Sequence, residues 1–267
     1  MFYSGCCIRI RGVLTTGCGV VRAIYRYPVK SMGGEELEEA FITFEGVEGD
    51  RRYALVDVET GLAVSAKNPK LYSKLLDVKA SISNGRLVIQ MPDGKSYESN
   101  ECEEILSAYM GRKLKLVRND GLGLGYTGLE VVFSEGITYF EKNGFTREKT
   151  FHDSMPVHVI AEEDLRKLCL HDEVSRFRPN IVVSSIASER KLLNLVLEVG
   201  DAVLKIVKQT KRCIMVTLPQ KGLRQDMNIL KTIRESFDGF VGLYAQVIRE
   251  GVVRRADPLK FYAAETL

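Results

Sequence analysis

The chain has 267 residues, 45% of them hydrophobic and 27% charged, which is enough to bury a core in one large domain or two small ones. Lysine and arginine outnumber aspartate and glutamate by only 38 to 35, a balance that argues against nucleic-acid binding. The longest apolar runs are as short as strands, so we expect no transmembrane helix and no membrane partner. Six cysteines without C-x-x-C or zinc-ribbon spacing indicate a reducing, cytoplasmic compartment.

Residues 1–19 precede the first clear pattern. LTTGC at 14–18 has the form of a lipoprotein cleavage box, but Arg9 and Arg11 interrupt the segment and it lacks an adequate apolar region. We therefore interpret residues 1–19 as an N-terminal extension and not as an export signal.

From residue 20 to 118, short β patterns dominate. VVRAIYRYPVK alternates and stops at Pro28, and LEEAFITFEGV and RRYALVDVETG follow as further strands. KASISNGRLVIQMPDGKSYE predicts a β-hairpin around Asn84 and Gly85, with a second turn at 92–94. NPKLYSKLL and NECEEILSAYMG predict helices, the second with an asparagine cap, an acidic first turn and a terminating glycine.

NDGLGLGYTGL at 119–129 is rich in glycine. It contains neither G-x-x-x-x-G-K-[ST] nor G-x-G-x-x-G, so a linker or mobile loop is a better interpretation than a phosphate-binding loop. We place the domain boundary here and predict domains at 20–118 and 119–267.

Short strand patterns also dominate the second half of the chain. MPVHVIAEEDLRKLCL predicts a strand and then a helix, and RPNIVVSSI predicts a short buried strand. LNLVLEVGDAVLKIVKQ predicts two strands around a Gly-Asp turn, and GLYAQVIREGVVRRADPLKF predicts a terminal hairpin. DMNILKTIRES is amphipathic, with Met227, Leu230 and Ile233 on one face. Because sustained βαβ alternation is lacking, we predict a mainly β, α+β fold of two small β-barrels or curled sheets with a few inserted helices.

The three histidines favour neither a metal site nor a catalytic triad. The six-residue spacing of His152 and His158 does not suit a metal pair, and His171 falls in a charged loop, so zinc is not favoured. Asp153 and Ser154 adjoin His152, but adjacent residues rarely form a catalytic triad, and no G-x-S-x-G elbow is present.

Cys213 directly follows Lys211 and Arg212 in KQTKRCIMVTLPQKG. Neighbouring cations favour a thiolate, the form of cysteine that acts as nucleophile and metal ligand. The alternative is structural, with Cys213 at the start of a buried strand, CIMVTL, and the cations in solvent. This stretch alone leaves both interpretations open.

Several other cations lie where predicted strands end, as in YPVKS, GDRRY and FRPNIVV. Polar groups at strand ends gather at the mouth of a barrel, and arginine pairs well with phosphate oxygens. We therefore predict a cationic pocket suited to a phosphate, formed by Lys30, Arg51, Arg178 and Arg212.

Seven segments match a known family in their order and approximate spacing: VRAIYRYPVKSM, GDRRYALVD, SAKNPKLYSKL, FHDSMPVHVIAEEDL, FRPNIVV, KRCIMVTL and ILKTIRE. Over residues 20–262 they resemble MOSC proteins, named for the C-terminal domain of molybdenum-cofactor sulfurase. Residues 20–118 resemble the MOSC N-terminal β-barrel domain, and residues 119–267 resemble the MOSC barrel. The segments look like those of the group that contains the mitochondrial amidoxime-reducing component and its bacterial relatives.

In that family the molybdenum cofactor, Mo-molybdopterin, lies between the two domains, and a cysteine thiolate binds the metal. The resemblance implies that Cys213 is the metal ligand and a catalytic residue, and that Asp153 is a catalytic residue that orients water or substrate. It implies cofactor contacts from Lys30, Ser31, Arg51, Lys67, Ser154, Arg178, Asn180, Lys211 and Arg212. Lys67 stands where relatives carry arginine, which keeps the charge and weakens a bidentate contact.

The implied activity is that of a molybdenum-cofactor-dependent oxidoreductase that reduces small N-hydroxylated compounds by removing oxygen at the metal. Because the sequence ends at Leu267 without a cysteine cluster, we expect a separate ferredoxin- or flavoprotein-type protein to supply electrons. The alternative is a non-redox carrier, either of sulfur as a persulfide or of the molybdenum cofactor. Pyridoxal phosphate is associated with the family, but no lysine here resembles a Schiff-base residue. IMV and LPQKG after Cys213 depart from the TTVDP-TG pattern of many relatives, which bears on substrate specificity.

Overall fold

The computed structural model describes residues 19–119, 151–184 and 189–263, together with the backbone of residues 9–10 and 13–14. Its strands are β1 (Arg9–Ile10), β2 (Val13–Leu14), β3 (Val21–Arg26), β4 (Glu35–Leu37), β5 (Glu39–Thr43), β6 (Gly46–Val47), β7 (Tyr53–Asp57), β8 (Lys79–Ser83), β9 (Arg86–Gln90), β10 (Ser96–Glu98), β11 (Leu114–Arg118), β12 (Val157–Ala161), β13 (Ile181–Val183), β14 (Leu195–Val199), β15 (Ala202–Lys211), β16 (Phe240–Arg249), β17 (Gly251–Arg254) and β18 (Leu259–Ala263). Its helices are α1 (Pro69–Tyr72), α2 (Cys102–Met110), α3 (Glu162–Lys167) and α4 (Asn228–Phe237). Short 3-10 turns lie at Ser73–Asp77, Val174–Arg176, Glu189–Leu192 and Ile214–Thr217.

A curled sheet of eight strands dominates the fold, in the order β18-β14-β15-β16-β12-β13-β3-β4. Only β12 and β13 run parallel within it, joined through α3, and the other neighbours are antiparallel. All five residues of β12 are buried, because apolar clusters cover both faces of the sheet there. One of these clusters includes α4, through Ile229, Leu230 and Ile233. The mainly β prediction with a few helices is confirmed.

Strands from the first half of the chain complete structures of the second half. β3 pairs with β13, and β17 pairs with β5, so residues 21–43 contact strands that follow residue 150. The domain boundary predicted at 118–119 lies at the edge of the undescribed residues 120–150. Most of the glycine-rich segment at 119–129 lies inside them. The boundary therefore stays a prediction, as does the extension at 1–19, which lies almost entirely outside the described residues.

Local turn chemistry explains the small sheet formed by β8, β9 and β10. Asn84 and Gly85 have φ of +49° and +74°, the conformation that a two-residue hairpin turn requires, and Ser83 pairs with Arg86 across it. Gly111, with φ +65°, ends α2 as predicted. The predicted asparagine cap of α2 is wrong, because Glu101 occupies that position and its side chain makes no capping hydrogen bond.

Two further expectations are wrong, the first of them because of long-range strand pairing. β16 and β17 do not form a hairpin, since β16 lies between β15 and β12 while β17 pairs with β5. Met227 lies just before α4 and is 54% exposed, whereas Ile229 takes the expected place in the core. Among the described residues, no helix combines the length and the apolar character that crossing a membrane requires.

Candidate active site

A cavity of about 540 Å³ lies at the end of β15, bounded by the chain that follows β3 and the chain that precedes β13. Its size is typical of small-molecule sites. All eleven residues that the resemblance implies for the site line this cavity, from Lys30 to Cys213. Their roles stay predictions, but their common location follows from a topology that brings β3, β13 and β15 into one sheet.

Asp153 holds two lysines at the cavity. The Lys30 Nζ donates to Asp153 Oδ1 at 2.5 Å and to the Phe151 carbonyl oxygen at 3.3 Å, and the Lys67 Nζ lies 3.5 Å from the same carboxylate oxygen. Burial opposes ionisation of Asp153, but the positive charges of Lys30 and Lys67 outweigh it and hold its pKa well below the usual range. Asp153 is therefore a permanent anion that accepts hydrogen bonds and cannot donate a proton.

Arg51 and Arg178 lie side by side against one aromatic ring. Their guanidinium carbons are 5.1 and 4.4 Å from the centre of the Tyr27 ring. Arg51 also forms an ion pair with Asp50, a fully buried carboxylate whose other oxygen accepts the Tyr27 N–H at 2.6 Å. Burial, and then the charge of Arg51, lower the pKa of Arg178 to about 10. Two like charges held together below a cavity favour an anionic occupant.

The backbone is strained at three residues of the cavity. Ser31, Arg51 and Arg178 have φ of +66°, +49° and +53°, a left-handed conformation that costs non-glycine residues about 1–3 kcal/mol each. The Ser31 hydroxyl oxygen accepts the N–H of Ala66 at 3.0 Å, which ties this turn to the segment that carries Lys67. Such strain concentrates at functional sites, because only a required geometry maintains it.

Arg212 is held by three groups of the protein. Its Nε donates to the Val241 carbonyl oxygen at 2.7 Å, its Nη1 to the Phe177 carbonyl oxygen at 3.1 Å, and its Nη2 to His158 Nε2 at 2.8 Å. Because a guanidinium only donates, His158 Nε2 must be the acceptor, and the ring proton lies on Nδ1, which faces the Arg178 carbonyl oxygen at 3.2 Å. Burial and the charge of Arg212 lower the pKa of His158, so this imidazole stays neutral.

The Asn180 side chain also binds protein groups. Its Oδ1 accepts the His158 N–H at 3.1 Å, and its Nδ2 donates to the Tyr25 carbonyl oxygen at 3.3 Å. Asn180 thus joins β13 to its neighbours β12 and β3. A direct cofactor contact from this residue stays a prediction.

Cys213 is exposed and lies two residues after the end of β15. The alternative that it begins a buried strand is wrong, because the 3-10 turn Ile214–Thr217 comes next. The buried Arg176 holds this segment, donating to the Leu218 carbonyl oxygen at 2.9 Å and to the Arg224 carbonyl oxygen at 2.7 Å. Cys213 is therefore a free thiol presented to the cavity on a fixed backbone.

The donor set suits an anionic cofactor that brings its own metal ligands. Within the described residues, no group of three histidine, cysteine, aspartate or glutamate side chains is placed to hold a metal ion, so Cys213 cannot form a metal site alone. The lining cation Lys211 has no carboxylate partner there, and Thr210 keeps a buried hydroxyl without a hydrogen bond. A phosphate-bearing dithiolene would supply anionic oxygens and two sulfurs, so the residues fit the group.

Three residues that organise this site were not indicated by any sequence pattern. Asp50 was visible only as the neighbour of Arg51 in GDRRY, and His158 only as one of a poorly spaced histidine pair. Tyr244 lines the cavity from β16. An alternating strand pattern marks such a residue as inward or outward, but it does not show which strand lies beside it.

Comparison with known proteins identifies the class. The MOSC N-terminal beta barrel domain matches residues 18–110, and the MOSC domain matches residues 146–260. The chain belongs to the MOSC domain proteins, which associates it with molybdenum-cofactor function.

Its relatives include mitochondrial amidoxime reducing component 2 of Rattus norvegicus, 23% identical, over 90% of this chain and 82% of the relative. The protein of the same name from Homo sapiens is 25% identical, over 90% of this chain and 83% of the relative. The crystal structure of the YUAD protein from Bacillus subtilis aligns over 92% of this chain and 97% of that chain, with a TM-score of 0.42 and 10% identity.

We expect Gly242→Ala to destabilise the site. Gly242 has φ +91°, and a Cβ there would lie 2.3 Å from His158 Nε2 and 2.7 Å from Arg212 Nη2. The expected loss is about 3 kcal/mol, from backbone strain plus displaced packing, measured by urea unfolding. Gly94→Ala is the matched control, because Gly94 has φ +90° with no atom within 4 Å of the added Cβ. Equal losses in the two variants would show that the Arg212–His158 contact tolerates displacement.

We expect His152 to destabilise the folded state as the pH is lowered from about 7.5 to 5. His152 donates from Nε2 to the Glu45 carbonyl oxygen at 2.9 Å, and burial lowers its pKa to about 4. At this residue the unfolded chain therefore binds more protons than the folded chain, which costs the folded state about 2 kcal/mol by pH 5. Burial raises the pKa of Glu189 to about 7, and this carboxyl acts in the opposite direction. The contribution of His152 is therefore measured as a difference between the pH profiles of two proteins in urea unfolding.

His152→Gln keeps an amide donor for the Glu45 carbonyl oxygen. It is expected to gain about 2 kcal/mol of stability relative to the wild type between pH 7.5 and pH 5. His171→Gln, on an exposed loop, is the matched control and should keep the wild-type profile. A difference between wild type and His152→Gln that stays constant across the window contradicts the prediction.

Proposed function

We propose that this protein is a molybdenum-cofactor-dependent oxidoreductase that reduces N-hydroxylated compounds, with Cys213 as the metal ligand. The observation that carries the proposal is the exposed Cys213 thiol in a cavity lined by arginines and lysines in excess of carboxylates. The family match and the name of the amidoxime reducing component relatives support the same chemistry. A reducing, cytoplasmic compartment would keep the thiol free.

The residues of the cavity divide into two groups. Lys67, Ser154 and Lys211 are exposed in the cavity, where their side chains can approach the cofactor's anionic groups. Arg51, Arg178 and Arg212 already donate to protein oxygens or to His158, so they act mainly through their charge and the geometry they impose. We propose that both groups hold the cofactor, with Lys30 and Ser31 at the turn after β3.

Removal of oxygen from an N-hydroxylated substrate consumes two electrons and two protons and releases one water. When bound, the cofactor supplies the two-electron oxygen-transfer chemistry. Asp153 remains anionic, so its part is to accept a hydrogen bond from the substrate or from water and to keep Lys30 and Lys67 in place. The protons come from water at the open cavity, and a separate ferredoxin- or flavoprotein-type protein supplies the electrons.

The test is to purify the protein from a cofactor-competent host and from a host unable to make the cofactor. We expect molybdenum and pterin in about equal amounts in the first preparation and neither in the second. Only the first preparation is expected to convert benzamidoxime into benzamidine with reduced methyl viologen as donor. Protein from the competent host that contains no molybdenum overturns the proposal.

Exposure of Cys213 also favours a second function, a non-redox carrier of sulfur or of the cofactor. An exposed thiolate can take the outer sulfur of a donor persulfide, which releases the donor as a thiol and leaves a persulfide on Cys213. The two functions give different results in one preparation. Molybdenum-free protein whose Cys213 is labelled by persulfide reagents supports the carrier of sulfur, and cofactor-loaded protein without turnover supports the carrier of cofactor.

A further inference from the structure

Three side chains form a row across neighbouring strands at the cavity. Lys208 on β15 pairs in register with Tyr244 on β16, which pairs with His158 on β12. The Lys208 Nζ lies 6.0 Å from the centre of the Tyr244 ring, and the Tyr244 and His158 ring centres are 5.4 Å apart. All three residues line the cavity that contains Cys213.

Two members of this row have unused binding capacity. Within the part of the chain that the structure describes, Lys208 has no carboxylate partner and the Tyr244 hydroxyl makes no hydrogen bond. His158 differs, because Arg212 and the Arg178 carbonyl oxygen occupy its ring nitrogens. An ammonium and a phenol O–H on one side of a cavity are two donors for the same anionic group.

Lys208 differs in its surroundings from the buried arginines of the cavity. Arg178 and Arg212 lie deep, where burial lowers the pKa of each to about 10. Lys208 is exposed, so its ammonium stays hydrated and exchanges ligands readily. Phe240 and Met215 also line the cavity and provide apolar surface for a planar ring.

We propose that Lys208 and Tyr244 form a substrate subsite for a carboxylate borne on a planar aromatic ring. The preferred substrates are then N-hydroxylated compounds that carry a negative charge. This inference rests on the proposed function for the reaction, but the binding of the carboxylate can be measured without turnover.

The test is calorimetric titration of the purified protein, without electron donor, using 4-carboxybenzamidoxime and neutral benzamidoxime. We expect the carboxylate to bind roughly 5-fold more tightly at low ionic strength, and this advantage to shrink in about 0.5 M salt. Lys208→Gln is expected to remove most of the advantage, and Tyr244→Phe to reduce it about 2-fold or more. Lys205→Gln is the matched control, because Lys205 is exposed on the same strand and does not line the cavity.

The outcomes separate this inference from the proposed function. Equal affinity for the two compounds, or an advantage that Lys208→Gln does not reduce, overturns the subsite even if both compounds are turned over. A lower molybdenum content in Lys208→Gln also overturns it, because Lys208 then belongs to the cofactor site. A Lys208-dependent advantage without any reduction of either compound supports the subsite and contradicts the proposed reductase.

Discussion

Protein with Cys213 replaced by alanine is expected to lose its molybdenum while remaining folded. Within the described residues, no cluster of metal-binding side chains is available to replace the thiolate. Loss of a supporting residue typically weakens metal binding about 10- to 100-fold, so loss of the ligand itself is expected to exceed about 100-fold. Molybdenum content by mass spectrometry measures the effect, with benzamidoxime reduction falling in parallel.

Stability provides the necessary control for this variant. Because Cys213 is exposed, the alanine variant is expected to unfold within about 0.5 kcal/mol of the cofactor-free wild type. Cys169→Ala removes another exposed thiol, one that does not line the cavity, and should keep its full molybdenum content. Full molybdenum loading of a folded Cys213→Ala protein contradicts the assignment of the ligand.

Asp50→Asn is expected to produce the largest loss of stability. Asp50 is fully buried, and asparagine keeps an acceptor for the Tyr27 N–H but removes the charge that pairs with Arg51. Arg51 then lies beside Arg178 at the Tyr27 ring without its ion-pair partner. Breaking a buried pair in this way costs about 3–5 kcal/mol, measured as the free energy of unfolding in urea.

A double variant shows whether the loss comes from the stranded charge. Asp50→Asn combined with Arg51→Met removes both charges, and it is expected to be more stable than Asp50→Asn alone. Asp93→Asn is the matched control, because Asp93 forms an exposed pair with Lys95 at 3.6 Å and such pairs contribute less than about 1 kcal/mol. A double variant less stable than the single one would mean that Arg51 stabilises the fold without Asp50.

Features that depend on backbone conformation were predictable from the sequence. The turn at Asn84 and Gly85 and the end of α2 at Gly111 follow from residues that adopt positive φ readily. The wrong expectation with the largest effect on the fold concerns strand partners distant in the chain. The pattern after residue 240 predicts two strands, but it does not show that β17 pairs with β5 and β16 with β12.

The site shows the same division. Ordered motifs pointed to residues from Lys30 to Cys213, and the structure brings them to one cavity because β3, β13 and β15 share a sheet. The buried partners of these residues left no such signal. Asp50 and His158 became recognisable only when the ion pair with Arg51 and the hydrogen bond from Arg212 were visible.

From the order of its residues alone, this chain can be read as a two-part β protein with a cysteine set among cations. That information is local, because strand periodicity, turn residues and charged strand ends are properties of short segments. The folded molecule decides that Cys213 precedes a 3-10 turn and is exposed, that Arg212 is bound to His158, and that Asp153 holds two lysines. These properties arise from burial and from contacts across the sheet, where residues far apart in sequence determine one another's charge and position.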